Sequence, residues 1–146
     1  LLNRKEYSCP HCGSSDRERI YALYLKKRLA NMNVNRDFTL VDIAPSGPLS
    51  SHIQNNYNIS YISVDKYMEN VTYNIDIAEM KIFQDEEADA FICSHVLEHV
   101  DNDLKAMKEL HRILKKRIGW GILVVPIDLN CQKTIENITL NKISYI

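Results

Sequence analysis

The chain has 146 residues, enough for one domain with its own core and too few for two. Hydrophobic residues make up 45% and charged residues 25%, the balance of an ordinary soluble globular protein, and a formal net charge of -1 leaves no global basic field to recruit nucleic acid. No apolar run reaches membrane-spanning length and the start is polar and charged, without a signal-peptide pattern, so a cytoplasmic location without a membrane partner is expected.

The four cysteines do not suggest a disulfide scaffold, because only Cys9 and Cys12 are close in sequence. Cys9-Pro10-His11-Cys12-Gly13 is a CxxC knuckle able to hold two corners of a zinc site. No second CxxC supplies the other corners, so the expected metal content is none. Ser15 to Glu18 reads as a capping box, with helix to about Leu29 and Ile20, Leu23, Tyr24 and Leu29 on one face. Arg17 and Arg19 could reach an anion, although a solvated helix start explains them as well.

Phe38–Ile43 reads as the first strand. Ala44, Pro45, Ser46, Gly47 and Pro48 follow as a tight turn into a helix over Leu49–Asn56, capped by Ser46 or Gly47. Such a turn lets backbone N–H groups meet a ligand. Ile59–Val64 is the second strand with Asp65 at its end, about 20 residues after the first turn, where an acidic residue reads a ribose diol. Val71–Ile77 alternates and is expected as the third strand. Asp85, Glu86 and Glu87 form a solvated acidic turn.

Ala90–Cys93 is short, apolar and bounded by polar residues, a buried fourth strand. Ser94 and His95 at its end fall where open α/β sheets bind ligands, and Glu98 and His99 are expected in the first turn of the next helix. Asp101 to Asp103 suit that helix's N-terminus, and Leu104, Met107, Leu110, His111 and Leu114 are expected to face the core. Trp120–Pro126 is the fifth strand. Alternating strands and helices predict an α/β fold, a doubly wound, mainly parallel sheet with helices on both faces.

Four features in order, Asp42 near the end of the first strand, Asp65, Asp76 and His95-Val96-Leu97-Glu98-His99-Val100, resemble class I S-adenosylmethionine-dependent methyltransferases. The match is to a type 11-like subgroup with an N-terminal CPxCGS segment, and it covers nearly Cys9 to Leu129. The resemblance implies a Rossmann-like fold, S-adenosylmethionine as cofactor, and methyl transfer to an acceptor the sequence does not identify. It implies cofactor contacts from Asp42, Ala44, Gly47, Asp65, Asp76, Ile77, Ser94 and His95, with Asp76 beside the adenine amine, and it assigns no catalytic residue. The family usually has D-x-G-x-G-x-G in the first turn, where this chain has only Gly47, so a looser cofactor contact is expected. On this reading residues 1–30 form a knuckle and helix, and 31–146 the cofactor-binding core.

The family's sheet normally continues beyond the fifth strand with two more, and here only Lys142–Ile146 could add one. A second expectation is therefore a C-terminally short domain that binds the cofactor without catalysis, unless the tail from Cys131 or a homodimer partner completes the acceptor side. His95-Val96-Leu97-Glu98-His99 also fits the H-x-x-E-H zinc signature of inverzincin proteases, but it follows directly on an apolar strand in a chain too short for that scaffold. A nicotinamide-dependent oxidoreductase is disfavoured by the absent GxGxxG.

Overall fold

Five short strands carry the architecture: β1 Thr39–Ile43, β2 Ser60–Asp65, β3 Tyr73–Asn74, β4 Ala90–Ser94 and β5 Trp120–Val124. They pair in the order β3-β2-β1-β4-β5, every pair parallel. The computed structural model describes residues 7–30, 32 and 37–127. The tail from Asp128, with Cys131 and the strand expected at Lys142–Ile146, lies outside them. The chain runs outward from β1 to β3 on one side, then returns to place β4 against β1 on the other. The order therefore reverses between β1 and β4, and at such a point the loops diverge and leave a crevice.

Side chains alternate across the central strands as the pleat requires. Leu40, Ala90 and Ile92 face a cluster with Tyr21, Leu25 and Leu29 of α1 (Asp16–Leu29) and Leu49 and Ile53 of α2 (Gly47–Asn56). Val41, Ile43, Phe91 and Cys93 face the opposite cluster with Ala106, Leu110 and Ile113 of α3 (Asp103–Ile113). Helices thus cover both faces, as expected of a sheet buried on both sides. Phe91 lies against β5 where Gly121 has no side chain; a Cβ there would come within 2.3 Å of the ring.

The amphipathic faces are in part rotated from the expected ones: Leu29 and Leu110 face the core as expected and Leu114 packs against it, but their expected companions do not. On α1 the buried residues are Tyr21, Leu25 and Leu29, while Ile20, Leu23 and Tyr24 are exposed. On α3 they are Ala106, Leu110 and Ile113, and Leu104 and Met107 are exposed. In both helices the winning stripe is a clean i, i+4 or i, i+3 ladder, and on α3 it includes an alanine small enough to let the helix approach the sheet. His111 is also exposed.

Two local readings change as well. The third strand is two residues long rather than Val71–Ile77, because Asp76 caps a 3-10 turn at Ile77–Glu79 by accepting from the Ala78 N–H at 2.8 Å. Glu98 and His99 belong to another 3-10 turn, Leu97–His99, and α3 begins only after Asn102, whose side chain accepts from the Lys105 N–H at 2.9 Å.

No α-helix connects β3 to β4. That connection is held instead by side chains of α3, Arg112 above all. The Arg112 guanidinium donates to the carbonyls of Met80 and Phe83, to Asp85 and to Glu109, all at 2.8–3.0 Å. Glu109 in turn accepts from the Met80 N–H at 2.8 Å. No helix among the described residues is long and apolar enough to cross a membrane.

Candidate functional site

The two strands flanking the reversal end in the same way. Ala44, just after β1, still donates to the Val64 carbonyl at 2.8 Å, and His95, just after β4, donates to the Val124 carbonyl at 2.8 Å. Each then turns left-handed, with φ of +52° for Ala44 and +57° for His95. Left-handed backbone is uncommon for non-glycine residues, and here it throws the two loops apart. Two clefts open beneath, and Ile43, Ala44 and His95 line both.

The first cleft, of about 320 Å³, lies under the start of α1. Its walls include Ser15, Arg17, Glu18 and Tyr21 of the helix and its cap, and Asp42, Ser46, Ser94 and His95 from the sheet side. The capping box forms as expected. Burial would raise the Glu18 carboxyl, but the nearby Ser46 hydroxyl and the hydrogen bond from the Ser15 N–H outweigh it and hold the group low. The Tyr21 and Ser94 hydroxyls hydrogen-bond at 2.8 Å, fixing α1 over the strand ends. Asp42 is 2% exposed. Its carboxyl is pushed up to about 7 by burial, against the opposing effect of the Tyr61 hydroxyl, which donates to Oδ2 at 2.7 Å.

The second cleft, of about 350 Å³, lies over the ends of β1 and β2. Asp65 projects into it, its Oδ1 accepting from the N–H groups of Tyr67 and Met68 at 2.7 Å each. These bonds orient the carboxylate, and Oδ2 carries no hydrogen bond from the described residues. Asp76 and Ile77 line the far side with Val96, His99 and Val100. The Asp76 carboxylate is held low by Lys66, which donates to it at 2.9 Å, and by the Ala78 N–H.

Of the residues expected to bind cofactor, Asp42 and Ser94 thus line the first cleft, Asp65, Asp76 and Ile77 the second, and Ala44 and His95 the junction. Gly47 lines neither; it opens α2 and faces a hollow beside the knuckle. The residue that takes the left-handed turn is Ala44. Sequence reasoning did not bring Tyr21 and Glu18 to the site: the capping box signalled a helix start, but nothing local showed that the start lies over β4.

At the knuckle Cys9 donates its N–H to the Ser14 carbonyl and Gly13 its N–H to the Cys9 carbonyl, both at 2.8 Å. Hydrogen bonds from Ser14, then from Cys9, lower the exposed Cys12 thiol. Among the described residues no three His, Cys, Asp or Glu side chains gather as a metal site. Cys93, behind the junction, is buried and its thiol pushed up to about 12, by burial first and then by the charges of Glu98 and Asp42. Such a thiol does not serve as a nucleophile.

Comparison with known proteins agrees with the geometry. Solved structures with the same fold include a SAM-dependent methyltransferase from Archaeoglobus fulgidus, at 17% identity and a TM-score of 0.50 over 67% of this chain and 48% of that one. The CurJ carbon methyltransferase aligns at 17% identity with a TM-score of 0.56, over 67% of this chain and 32% of that one. The [4+2]-cyclase SpnF aligns at 15% identity with a TM-score of 0.54, over 67% and 41%. The chain spans about half the length of the structures it matches, or less. No curated protein sequence matches it. A family model described as a methyltransferase domain matches residues 27–123, more than half the chain and the whole strand series from β1 through β4, and by that match the chain belongs to the methyltransferase domain family.

Proposed function

We propose that this domain binds S-adenosylmethionine across the two clefts and directs its methyl group to an acceptor beneath α1. The observation that carries the reading is the joined pair of clefts at the strand reversal, with an oriented carboxylate, Asp65, at one end and a buried carboxyl, Asp42, at the other. A nucleoside diol needs an acceptor such as Asp65. An amino acid ammonium needs a buried negative partner, which Asp42 becomes on losing its proton. When bound, the sulfonium supplies an already activated methyl group, so this chain's contribution is chiefly placement. Asp65 orients the ribose end, Ile77 and Val100 give the base an apolar wall, and α1 screens the acceptor end from water.

Family membership and the fold likeness support this reading, and SpnF shows the same fold in a protein described as a cyclase. The test is calorimetry with S-adenosylmethionine, S-adenosylhomocysteine and NAD on one sample. Saturable binding of the first two without NAD is expected; binding of NAD alone would replace the methyltransferase reading with a dinucleotide one.

A further inference from the structure

We infer that His95 is the catalytic base of this site and that Glu98 is the positioning residue that makes it one. The inference rests on the methyltransferase reading above and adds an acceptor class to it: an oxygen or nitrogen nucleophile that must lose a proton as it is methylated.

His95 is the one ionisable side chain, among the described residues, that lines both clefts. Its left-handed backbone is fixed by its bond to the Val124 carbonyl, so the ring has a defined origin at the junction. Glu98 Oε1 lies 3.1 Å from Nδ1. An ionised carboxylate only accepts, so Nδ1 carries the proton and Nε2 keeps its lone pair. Glu98 has no competing partner for this work: its other oxygen, Oε2, is buried and accepts no hydrogen bond among the described residues. The carboxylate is thereby placed to face the imidazolium formed when Nε2 takes up a proton. This is the base-and-orienter arrangement of general-base catalysis.

The step balances without another reagent. The acceptor's X–H proton passes to Nε2, and the X–H electron pair forms the new bond to the methyl carbon. The methyl–sulfur pair stays on sulfur, which goes from sulfonium to thioether.

The test reads the ring directly, by nitrogen-15 NMR of imidazole-labelled protein with the His95 signal assigned by its loss in His95→Gln. The neutral ring should hold at least about a tenfold excess of the Nδ1–H tautomer, as expected of a hydrogen bond to a charged group. Glu98→Ala should shift it toward Nε2–H; should that variant not fold, Glu98→Gln serves, with a mixed population expected. S-adenosylhomocysteine should move the Nε2 signal more than the Nδ1 signal. A wild-type ring in the Nε2–H form, or an Nε2 signal that ignores calorimetrically proven binding, overturns the assignment. Absence of any binding would overturn the cofactor reading instead, and the tautomer would still report on Glu98. For any phenol or amine that the wild type methylates from a small-molecule panel, His95→Gln should slow transfer about a hundredfold or more. An unchanged rate would remove the base.

Discussion

The Tyr61 hydroxyl donates to Asp42 Oδ2 at 2.7 Å and also meets the Ser50 hydroxyl at 2.7 Å, so the most buried carboxyl of the site is met, among the described residues, by a neutral donor and no cation. Because its folded pKa is about 7, Asp42 holds a proton in the folded state where the unfolded chain has released it. Its contribution to stability is full below about pH 4 and is lost as pH rises toward 7, on the order of 4 kcal/mol in all. Carboxylates held low by cations, Asp76 by Lys66 and Glu109 by Arg112, act in the opposite direction, so the comparison is with a variant. Asp42→Asn keeps an acceptor for Tyr61 and should be the more stable protein in urea at pH 8, with the advantage vanishing near pH 4. An equal difference at both pH values would mean that Asp42 is ionised throughout.

Binding should carry the same proton. A ligand ammonium beside Asp42 favours the carboxylate, so affinity for S-adenosylmethionine should rise as pH increases through 7. The proton released should appear in calorimetry as a dependence of the apparent enthalpy on buffer ionisation heat, and Asp42→Asn should abolish that dependence.

Asp65 can be tested alone. Loss of charge-assisted hydrogen bonds to a ribose diol costs on the order of 2 kcal/mol, so Asp65→Ala should weaken S-adenosylhomocysteine binding at least about tenfold. Since the carboxylate also receives the Tyr67 and Met68 N–H groups, Asp65→Asn is the cleaner control for loop order. Unchanged affinity in both variants would move the nucleoside elsewhere.

The bond between Tyr21 and Ser94 should couple α1 to the sheet. Tyr21→Phe and Ser94→Ala should each destabilise by about 1 kcal/mol, and the double variant by less than their sum. Strict additivity in urea melts would mean that the first cleft is closed by apolar contacts alone.

Ala44 bears a left-handed backbone that glycine adopts without strain. Ala44→Gly should therefore raise stability by about 1 kcal/mol, read as a higher urea midpoint with unchanged slope. A lower midpoint would show that the alanine methyl packs usefully at the junction.

The sequence carried the succession of the strands and the polar residues near their ends with little ambiguity, because Asp42, Asp65 and Ser94 close strands whose apolar runs are short and well bounded. It carried the helix faces poorly. On α1 and α3 apolar residues lie on both sides of the true seam, and only docking to the sheet separates Leu25 from Leu23 or Leu110 from Met107. The His95–Glu98 pair was visible as spacing but its form was not: on a regular helix these residues would share a face, whereas here one ends a strand turn and the other lies in a 3-10 turn. Lys66 against Asp76 follows from the shortness of β3, which alternation alone did not foretell.

Arg112 gives the β3–β4 connection an order of assembly. A crossover with its own helix can begin to form locally, but this one waits for a guanidinium some thirty residues downstream, so the stretch from Asp76 to Glu87 should be consolidated late in folding. It should also be among the first parts of the native molecule to open, as a unit smaller than the whole. Amide exchange there would then report on the second cleft from outside it: a ligand resting against Ile77 needs the stretch closed, and should slow exchange as far away as Phe83.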